Sequence, residues 1–355
     1  YGISGPVTFN ILAGTYDEQV VLGQVYGASA TNTITFQSAD ANADSVIWEN
    51  TANTNYNNYV LRLNGTDHIT LKNITFKNMG TWNPQKIILS GVTDSVTIDS
   101  SKFVGPVTQS STSNYTSIFG YGADAAALKI KNSTFTDGGG YAINLNSNNS
   151  SSSPTGLEII NNTFTDTYGG IIAQYYDGVT IRGNTIKGDG MYDTGIRLDY
   201  CDGANVVEDN TIYGPDMTYG LYLNYCQATE GNEATIANNL ISVEDYGIFL
   251  NTYNYYQNIY YNSVKVRDNY ALHTSYYNNN NTLKNNIFYT DAASIPAANI
   301  YNTSVFTSSD HNDFFSNSGY PIYFSGNKTL AQWQAYGQDS SSVSMDPVYD
   351  TDSSL

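Results

Sequence analysis

The sequence predicts an all-β solenoid in which short parallel strands stack in about 12 successive turns, with a short helix near the C-terminus. A six-residue phrase that ends in an apolar residue recurs every 22 to 32 residues, and a column of Asn accompanies it. A second pattern, of a small residue followed by aliphatic residues, lies between copies of the phrase. Tyr contributes 32 residues and charged residues make up only 13%, a composition typical of sheet proteins with many turns.

The repeated phrase begins with an aliphatic residue, often has Asn at its fourth position and ends in an apolar residue. Examples are IKNSTF at 130–135, IRGNTI at 181–186 and VEDNTI at 207–212. Helical solenoids have longer repeats with 3.6-residue periodicity, whereas this phrase alternates with period two around Thr and Asn. It therefore predicts a coil of parallel strands, with loops of different length between the strands. The last position is apolar in every copy: Phe76, Phe103, Phe135, Phe164, Ile186, Ile212, Ile241, Val264, Phe288 and Phe314.

The second pattern places a small residue before two aliphatic residues that are separated by one position. Gly suits a corner where the backbone needs positive φ. The aliphatic side chains should stack from turn to turn at about 4.8 Å and fill a narrow core. The copies are Ala142-Ile143-Asn144-Leu145, Gly195-Ile196-Arg197-Leu198, Gly220-Leu221-Tyr222-Leu223 and Gly247-Ile248-Phe249-Leu250.

One polar column runs through the repeated phrase. Its Asn side chains can hydrogen-bond along the solenoid axis and satisfy turn groups that the fold buries, so we expect a structural ladder. The column consists of Asn162, Asn184, Asn210, Asn239, Asn262, Asn286 and Asn312.

We expect a single β-helix domain over residues 1–355. It divides into N-terminal turns at 1–70, regular turns at 71–316 and a C-terminal cap and tail at 317–355. Within the cap, TLAQWQAY at 329–336 predicts a short helix with Thr329 as N-cap and Gly337 as its stop. The sequence begins with Tyr and shows no signal peptide, so we expect a segment of a longer precursor.

Taken together, these columns resemble the right-handed parallel β-helix superfamily that includes pectate lyases, pectinesterases and polygalacturonases. ILAGTYDE at 11–18 resembles the first-turn phrase of pectinesterase-like helices, and SVSMDP at 342–347 resembles the closing phrase of large bacterial surface β-helices. The resemblance implies secretion or display at the cell surface. The Asp-Phe-Ile-Phe-Gly, Gly-His-Gly and Val-Trp-Ile-Asp-His phrases of the three enzyme groups are absent, so no catalytic residue is assigned.

Five residues are candidates for ligand binding. Tyr175, Tyr200 and Tyr225 share a column, and sugar rings stack on phenol rings. The alternatives are that these rings stack on one another or contact a neighbouring molecule. Arg197 and Asp199 are two positions apart and so share a strand face, where they could bind a sugar or Ca²⁺, or simply form a surface ion pair.

The two cysteines, Cys201 and Cys226, occupy matching positions on adjacent turns. Their Cα atoms should lie about 5 Å apart, which is within disulfide range. Side chains in register on parallel strands point the same way, however, and this strains a bridge. The sequence leaves stacked free thiols and a disulfide both open.

The net charge of −18 disfavours nucleic acid as a partner, and a polyanionic glycan would need a bridging cation such as Ca²⁺. No apolar run reaches the roughly 18 residues of a membrane span. We expect no other cofactor.

Two classes of function remain open. The first is a non-catalytic extracellular or cell-surface protein: an adhesin, a carbohydrate-binding protein or a fibre-forming subunit. Such a protein would bind a polysaccharide or other surface glycan, or assemble end to end or laterally. The second is a polysaccharide lyase, glycoside hydrolase or carbohydrate esterase whose site follows none of the known phrases. The missing catalytic phrases and the repetitive Tyr and Asn columns favour the first class.

Overall fold

A computed structural model describes residues 2–51, 58–107, 110, 112–147, 152–188 and 193–349. These residues form about 12 turns of a right-handed parallel β-solenoid, and the described part of the chain has a single short α-helix near its C-terminus. The fold class predicted from the sequence is confirmed. The chain divides into two compact units, Tyr1–Thr180 (unit 1) and Ile181–Leu355 (unit 2). Residues 350–355 of the predicted tail lie outside the described residues.

Unit 1 has six turns among its described residues, and each turn gives one strand to each of three parallel sheets, named A, B and C in chain order. A 3₁₀ helix, Ser113–Tyr115, precedes β12. The strands are β1 (Val7–Ile11), β2 (Gly14–Asp17), β3 (Val20–Gly23), β4 (Ile34–Ser38), β5 (Val46–Glu49), β6 (Leu61–Asn64), β7 (Ile69–Lys72), β8 (Thr75–Lys77), β9 (Ile87–Ser90), β10 (Thr97–Asp99), β11 (Lys102–Val104), β12 (Ile118–Tyr121), β13 (Lys129–Lys131), β14 (Thr134–Thr136), β15 (Tyr141–Asn146), β16 (Glu158–Ile160), β17 (Thr163–Thr165) and β18 (Gly169–Gln174).

The core of unit 1 contains an aromatic stack on the inner side of sheet B. Phe76, Phe103, Phe135 and Phe164 are register partners on successive strands, and all four side chains are buried. Their ring centroids are 5.4, 4.5 and 4.8 Å apart, with nearly parallel planes. Each such pair contributes roughly 0.5–1.5 kcal/mol beyond the apolar area that it buries. The apolar last position of the repeated phrase therefore contributes one column of the core of this unit, beside the inward aliphatic residues of sheets A and C.

Unit 2 also has six turns in its described part and begins within β19; its last turn closes with the antiparallel pair β36 and β37. A 3₁₀ helix, Thr303–Val305, precedes β34. The strands are β19 (Thr180–Arg182), β20 (Thr185–Lys187), β21 (Thr194–Asp199), β22 (Val206–Glu208), β23 (Thr211–Gly214), β24 (Tyr219–Asn224), β25 (Ala234–Ala237), β26 (Leu240–Val243), β27 (Tyr246–Leu250), β28 (Gln257–Tyr260), β29 (Ser263–Val266), β30 (Leu272–Thr274), β31 (Asn281–Lys284), β32 (Ile287–Thr290), β33 (Ala298–Asn299), β34 (Phe306–Asp310), β35 (Asp313–Ser316), β36 (Ile322–Tyr323) and β37 (Asn327–Lys328).

The corner between sheets A and B carries buried polar side chains. In unit 1, Ser101 N–H donates to Ser133 Oγ (3.1 Å), and Ser133 N–H donates to Asn162 Oδ1 (2.9 Å). In unit 2 the column is Asn at every turn. Asn239 is typical: its Nδ2 donates to Asn262 Oδ1 (2.9 Å), and its Oδ1 accepts from Asn210 N–H (3.1 Å). The same pattern extends over Asn184, Asn210, Asn239, Asn262, Asn286 and Asn312.

The C-terminal helix α1 (Leu330–Gln334) closes this ladder. Thr329 is its N-cap and forms a capping box with Gln332, so the predicted helix and its start are confirmed. Trp333 is buried and its Nε1–H donates to Asp339 Oδ2 (2.7 Å). Asp339 Oδ1 accepts from Asn312 Nδ2 (3.0 Å), so the last Asn of the ladder has a partner.

Candidate functional site

The outer face of sheet C in unit 2 carries four large side chains in one register column. Arg197 pairs with Tyr222, Tyr222 with Phe249, and Phe249 with His273 on successive strands. Successive residues of a strand point to opposite faces, and the aliphatic neighbours of these four are buried in the core. The second sequence pattern therefore builds an inner aliphatic column and an outer column of guanidinium and aromatic groups.

Arg197 begins this column and is held in place by Asp199. Arg197 Nε donates to Asp199 Oδ2 (2.6 Å), and its guanidinium carbon lies 4.8 Å from the centroid of the Tyr222 ring. The Asp199 side chain is only 3% exposed. Burial opposes the charge on Arg197, but the hydrogen bond and the charge of Asp199 outweigh it and raise the pKa of Arg197. Asp199 thus serves as a buried counter-ion beneath a partly exposed guanidinium.

A chain of side-chain amides continues from Asp199 across the next two turns. Asn224 Nδ2 donates to Asp199 Oδ1 (3.1 Å), and Asn251 Nδ2 donates to Asn224 Oδ1 (3.0 Å). Asn251 Nδ2 also donates to the Tyr222 hydroxyl (2.8 Å), so the orientation of this phenol is fixed. Burial raises the pKa of Tyr222. The phenol therefore stays neutral near pH 7, and its hydroxyl hydrogen can be donated to a ligand.

Aromatic rings flank the column on its other side. Tyr219 and Tyr246 stack at 5.3 Å, and Tyr246 stacks on Phe249 at 5.4 Å. His273 meets Phe249 at 4.5 Å with its ring steeply inclined, and burial lowers the pKa of His273 to about 4. His273 is therefore neutral at pH 7. The result is a wall of half-buried, uncharged rings beside the Arg197–Asp199 pair.

A ladder of four tyrosines follows sheet C at its corner with sheet A. The rings of Tyr200, Tyr225, Tyr253 and Tyr277 stack with centroid distances of 4.8, 4.9 and 4.7 Å. All four have φ between 53° and 62°, a conformation that bulky residues rarely adopt. Gly or Asn would adopt this backbone conformation at lower cost. We therefore infer that the stacked side chains, and not the backbone, favour tyrosine at these positions. Tyr175 belongs to unit 1, where it is half-buried with a φ of 58°.

The ladder changes the interpretation of the tyrosine column. Tyr200 and Tyr225 stack face to face, so each covers one face of the other. This arrangement corresponds to the alternative in which the rings stack on one another, and it leaves mainly ring edges and hydroxyls at the surface. Exposed tyrosines lie at the end of the ladder and beside it: Tyr277 is 57% exposed, and Tyr276 and Tyr301 are 49% and 55% exposed.

The cysteines are free and buried, so the disulfide that the sequence left open is not formed. Cys201 Sγ lies 3.5 Å from the Asp199 carbonyl oxygen, and Cys226 Sγ lies 3.4 Å from that of Leu198. Each thiol donates to a main-chain oxygen. Burial raises the pKa of Cys226 to about 12. Both thiols are therefore core groups, and the raised pKa of Cys226 disfavours its thiolate form.

Sequence reasoning selected Arg197 and Asp199 but missed Tyr222, Phe249 and His273. The signal was available for two of them, because Tyr222 and Phe249 occupy the position of Arg197 in the aligned second pattern. Within the described ranges, no group of three or more His, Cys, Asp or Glu side chains is placed to hold a metal ion. No described helix is both long and apolar enough to cross a bilayer.

Residues 58–225, 149–250 and 179–335 match the family model described as a right handed beta helix region. Together these segments cover more than half of the sequence. The chain belongs to the right-handed β-helix family. No curated protein sequence matches it significantly.

Three solved β-helix structures illustrate what this family member is similar to. The Dettilon tailspike protein aligns with a TM-score of 0.53 and 11% identity over 96% of this chain and 62% of its own. The periplasmic alginate epimerase AlgG aligns with a TM-score of 0.47 and 13% identity, over 87% of this chain and 65% of its own. The Streptococcus pneumoniae surface protein and adhesin PfbA aligns with a TM-score of 0.43 and 11% identity, over 95% of this chain and 91% of its own. The chain thus spans less than two thirds of the first two proteins.

Proposed function

We propose that this protein is a non-catalytic extracellular β-helix that binds an extended glycan along the outer face of sheet C in unit 2. The observation that carries the proposal is the outward column of Arg197, Tyr222, Phe249 and His273 on four successive turns. Adjacent turns are about 4.8 Å apart, so a glycan that crosses the strands meets a new side chain at every turn.

The chemistry of this face suits a polyhydroxylated ligand. The aromatic wall offers apolar surface to the C–H faces of sugar rings. Arg197 supplies further N–H donors beyond those that Asp199 accepts, and Tyr222 supplies a hydroxyl whose position Asn251 fixes. Because these polar groups are already held by neighbours, little side-chain entropy is lost on binding. The ladder tyrosines Tyr200 and Tyr225 border this face and would add hydroxyl contacts.

The state of Asp199 supports binding without cleavage. General acid–base catalysis on a glycosidic bond needs a carboxyl group that can exchange a proton with the substrate. Asp199 is almost fully buried, and its oxygens accept from Arg197 and Asn224. Its carboxylate is therefore committed to holding Arg197 in place.

This proposal can be tested with a glycan-array screen of the purified chain, once with Ca²⁺ and once with EDTA. Each glycan that binds is then assayed for new reducing ends or unsaturated products. We expect binding without product. Tyr222→Ala and Phe249→Ala should each weaken that binding about tenfold, the loss expected from one aromatic contact of roughly 1.4 kcal/mol.

Tyr261→Ala is the matched control, since Tyr261 is an exposed tyrosine at a different corner, between sheets A and B. Binding that survives both sheet C variants would place the ligand elsewhere. Product release from a bound glycan would show an enzyme instead of a binding protein.

A further inference from the structure

A groove of about 490 Å³ lies in unit 2 at the end of the tyrosine ladder. Tyr276, Tyr277 and Tyr301 line it together with short polar residues, and all of its lining residues are uncharged. Tyr276 and Tyr277 follow β30, and Tyr301 follows β33, so the groove spans the corners of two adjacent turns.

The rings in this groove are arranged differently from those in the ladder. Tyr276 meets Tyr277 at 5.3 Å with an angle of 89° between their planes, and Tyr301 at 6.0 Å with an angle of 66°. Because the rings meet at steep angles rather than face to face, Tyr276 and Tyr301 keep ring surface open to the groove. About half of each side chain is exposed.

Four polar groups of the groove are available to a ligand. Among the described residues, the hydroxyls of the three tyrosines and the side-chain amide of Asn279 have no hydrogen-bond partner. Asn302 Oδ1 accepts from Ser304 N–H (2.9 Å), which fixes the orientation of that amide. The groove therefore combines open aromatic surface with neutral donors and acceptors.

We propose that this groove is a subsite for one neutral hexose unit of the bound glycan. The inference rests on the proposed glycan-binding function and adds both a place and a substrate class to it. A hexose offers an apolar C–H face to Tyr276 or Tyr301, and its hydroxyls can pair with the phenols and with Asn279. A uronate is disfavoured, because no cation lines the groove to pair with its carboxylate and the chain carries a net charge of −18.

Isothermal titration calorimetry on the whole chain tests this subsite. The ligands are hexamers of neutral hexoses (glucose, galactose and mannose), with hexagalacturonate and a proline-rich peptide as competitors for an aromatic groove. We expect at least one neutral hexamer to bind, and Tyr276→Ala and Tyr301→Ala each to weaken it about tenfold. Tyr320→Ala, which removes a tyrosine that is 43% exposed at the opposite edge of sheet C, should leave affinity unchanged.

The outcomes separate the subsite from the wider proposal. Neutral-glycan binding that is unchanged in Tyr276→Ala and Tyr301→Ala but lost in Tyr222→Ala refutes the subsite and leaves glycan binding on sheet C intact. Equal or tighter binding of hexagalacturonate, lost in Tyr301→Ala, refutes the neutral class. Binding of the peptide alone, sensitive to Tyr276→Ala, would make the groove a protein contact. No binding of any hexamer by the intact chain contradicts both proposals.

Discussion

Replacing Lys86 with Met is expected to stabilise unit 1, because the described residues give the buried amine of Lys86 no hydrogen-bond partner. Its side chain is fully enclosed just before β9, and Nζ has no hydrogen-bond partner among the described residues. A side chain at Gly105 would clash with this nitrogen, so the nitrogen is closely packed. Burial lowers the pKa of Lys86 to about 7, and the attraction of Asp137 only partly opposes that effect. Met has a similar length and no charge to bury.

The size of the effect follows from the pKa difference between the two states. On folding, the pKa of Lys86 falls from 10.5 to about 7. The unfolded chain therefore binds more protons between these values, and the free energy of unfolding of the native protein rises with pH over this window. At about 1.36 kcal/mol per pKa unit, the destabilisation is about 4 kcal/mol at pH 7 and about 2 kcal/mol at pH 9. Lys86→Met should gain these amounts.

Urea unfolding followed by circular dichroism at pH 7 and pH 9 measures this prediction. The variant should exceed the native chain in free energy of unfolding, and its advantage should fall by about half from pH 7 to pH 9. Lys187→Met is the matched control, because Lys187 is exposed and should show no such pH-dependent gain. A Lys86→Met protein that is less stable than the native chain, or an advantage that does not change with pH, would refute the description of Lys86 as an unpartnered buried amine.

Three further predictions concern unit 2. Asn239→Leu leaves the buried N–H of Asn210 without its acceptor and should lower the free energy of unfolding by about 2–4 kcal/mol in the urea titration. Asn258→Ala, on the outer face, should have little effect in the same titration. Cys201 and Cys226 should not react with a thiol reagent in the native protein, and both should react in urea; rapid native labelling would show that the core opens there. His273 should titrate near pH 4 by NMR. Since the pKa of His273 is 6.5 in the unfolded chain, its contribution to stability should be lost as the pH falls from about 6.5 towards 4. The His273→Phe variant should not lose stability in this way. A measured pKa above 6 would contradict the burial of His273.

The features set by turn-to-turn repetition were predictable from the sequence. The Phe column from Phe76 to Phe164 is buried as stacked rings, because identical positions on parallel strands come into register. The same logic predicts the start of the C-terminal helix, where Thr329 and Gln332 provide a local capping signal.

The outer face was harder to predict because solvent-facing positions are not required to be apolar. Alternation along the strand assigns Tyr222 and Phe249 to the outward position of Arg197, but it does not indicate that outward aromatic rings form a binding surface. The open ring surface of Tyr276 depends on the angles between neighbouring rings, which the sequence does not specify. The pairing of Cys201 and Cys226 likewise depended on side-chain direction, and each thiol has a main-chain carbonyl as its partner.

Glycan binding on sheet C can be tested by a crystal structure of the chain with the tightest glycan from the array. We expect sugar rings over Tyr222 and Phe249 on the outer face of sheet C, crossing the strands from turn to turn. At least one sugar hydroxyl should bond to Arg197 or to the Tyr222 hydroxyl. A glycan bound on sheet A or sheet B, or one that leaves these side chains uncovered, would refute glycan binding on this face.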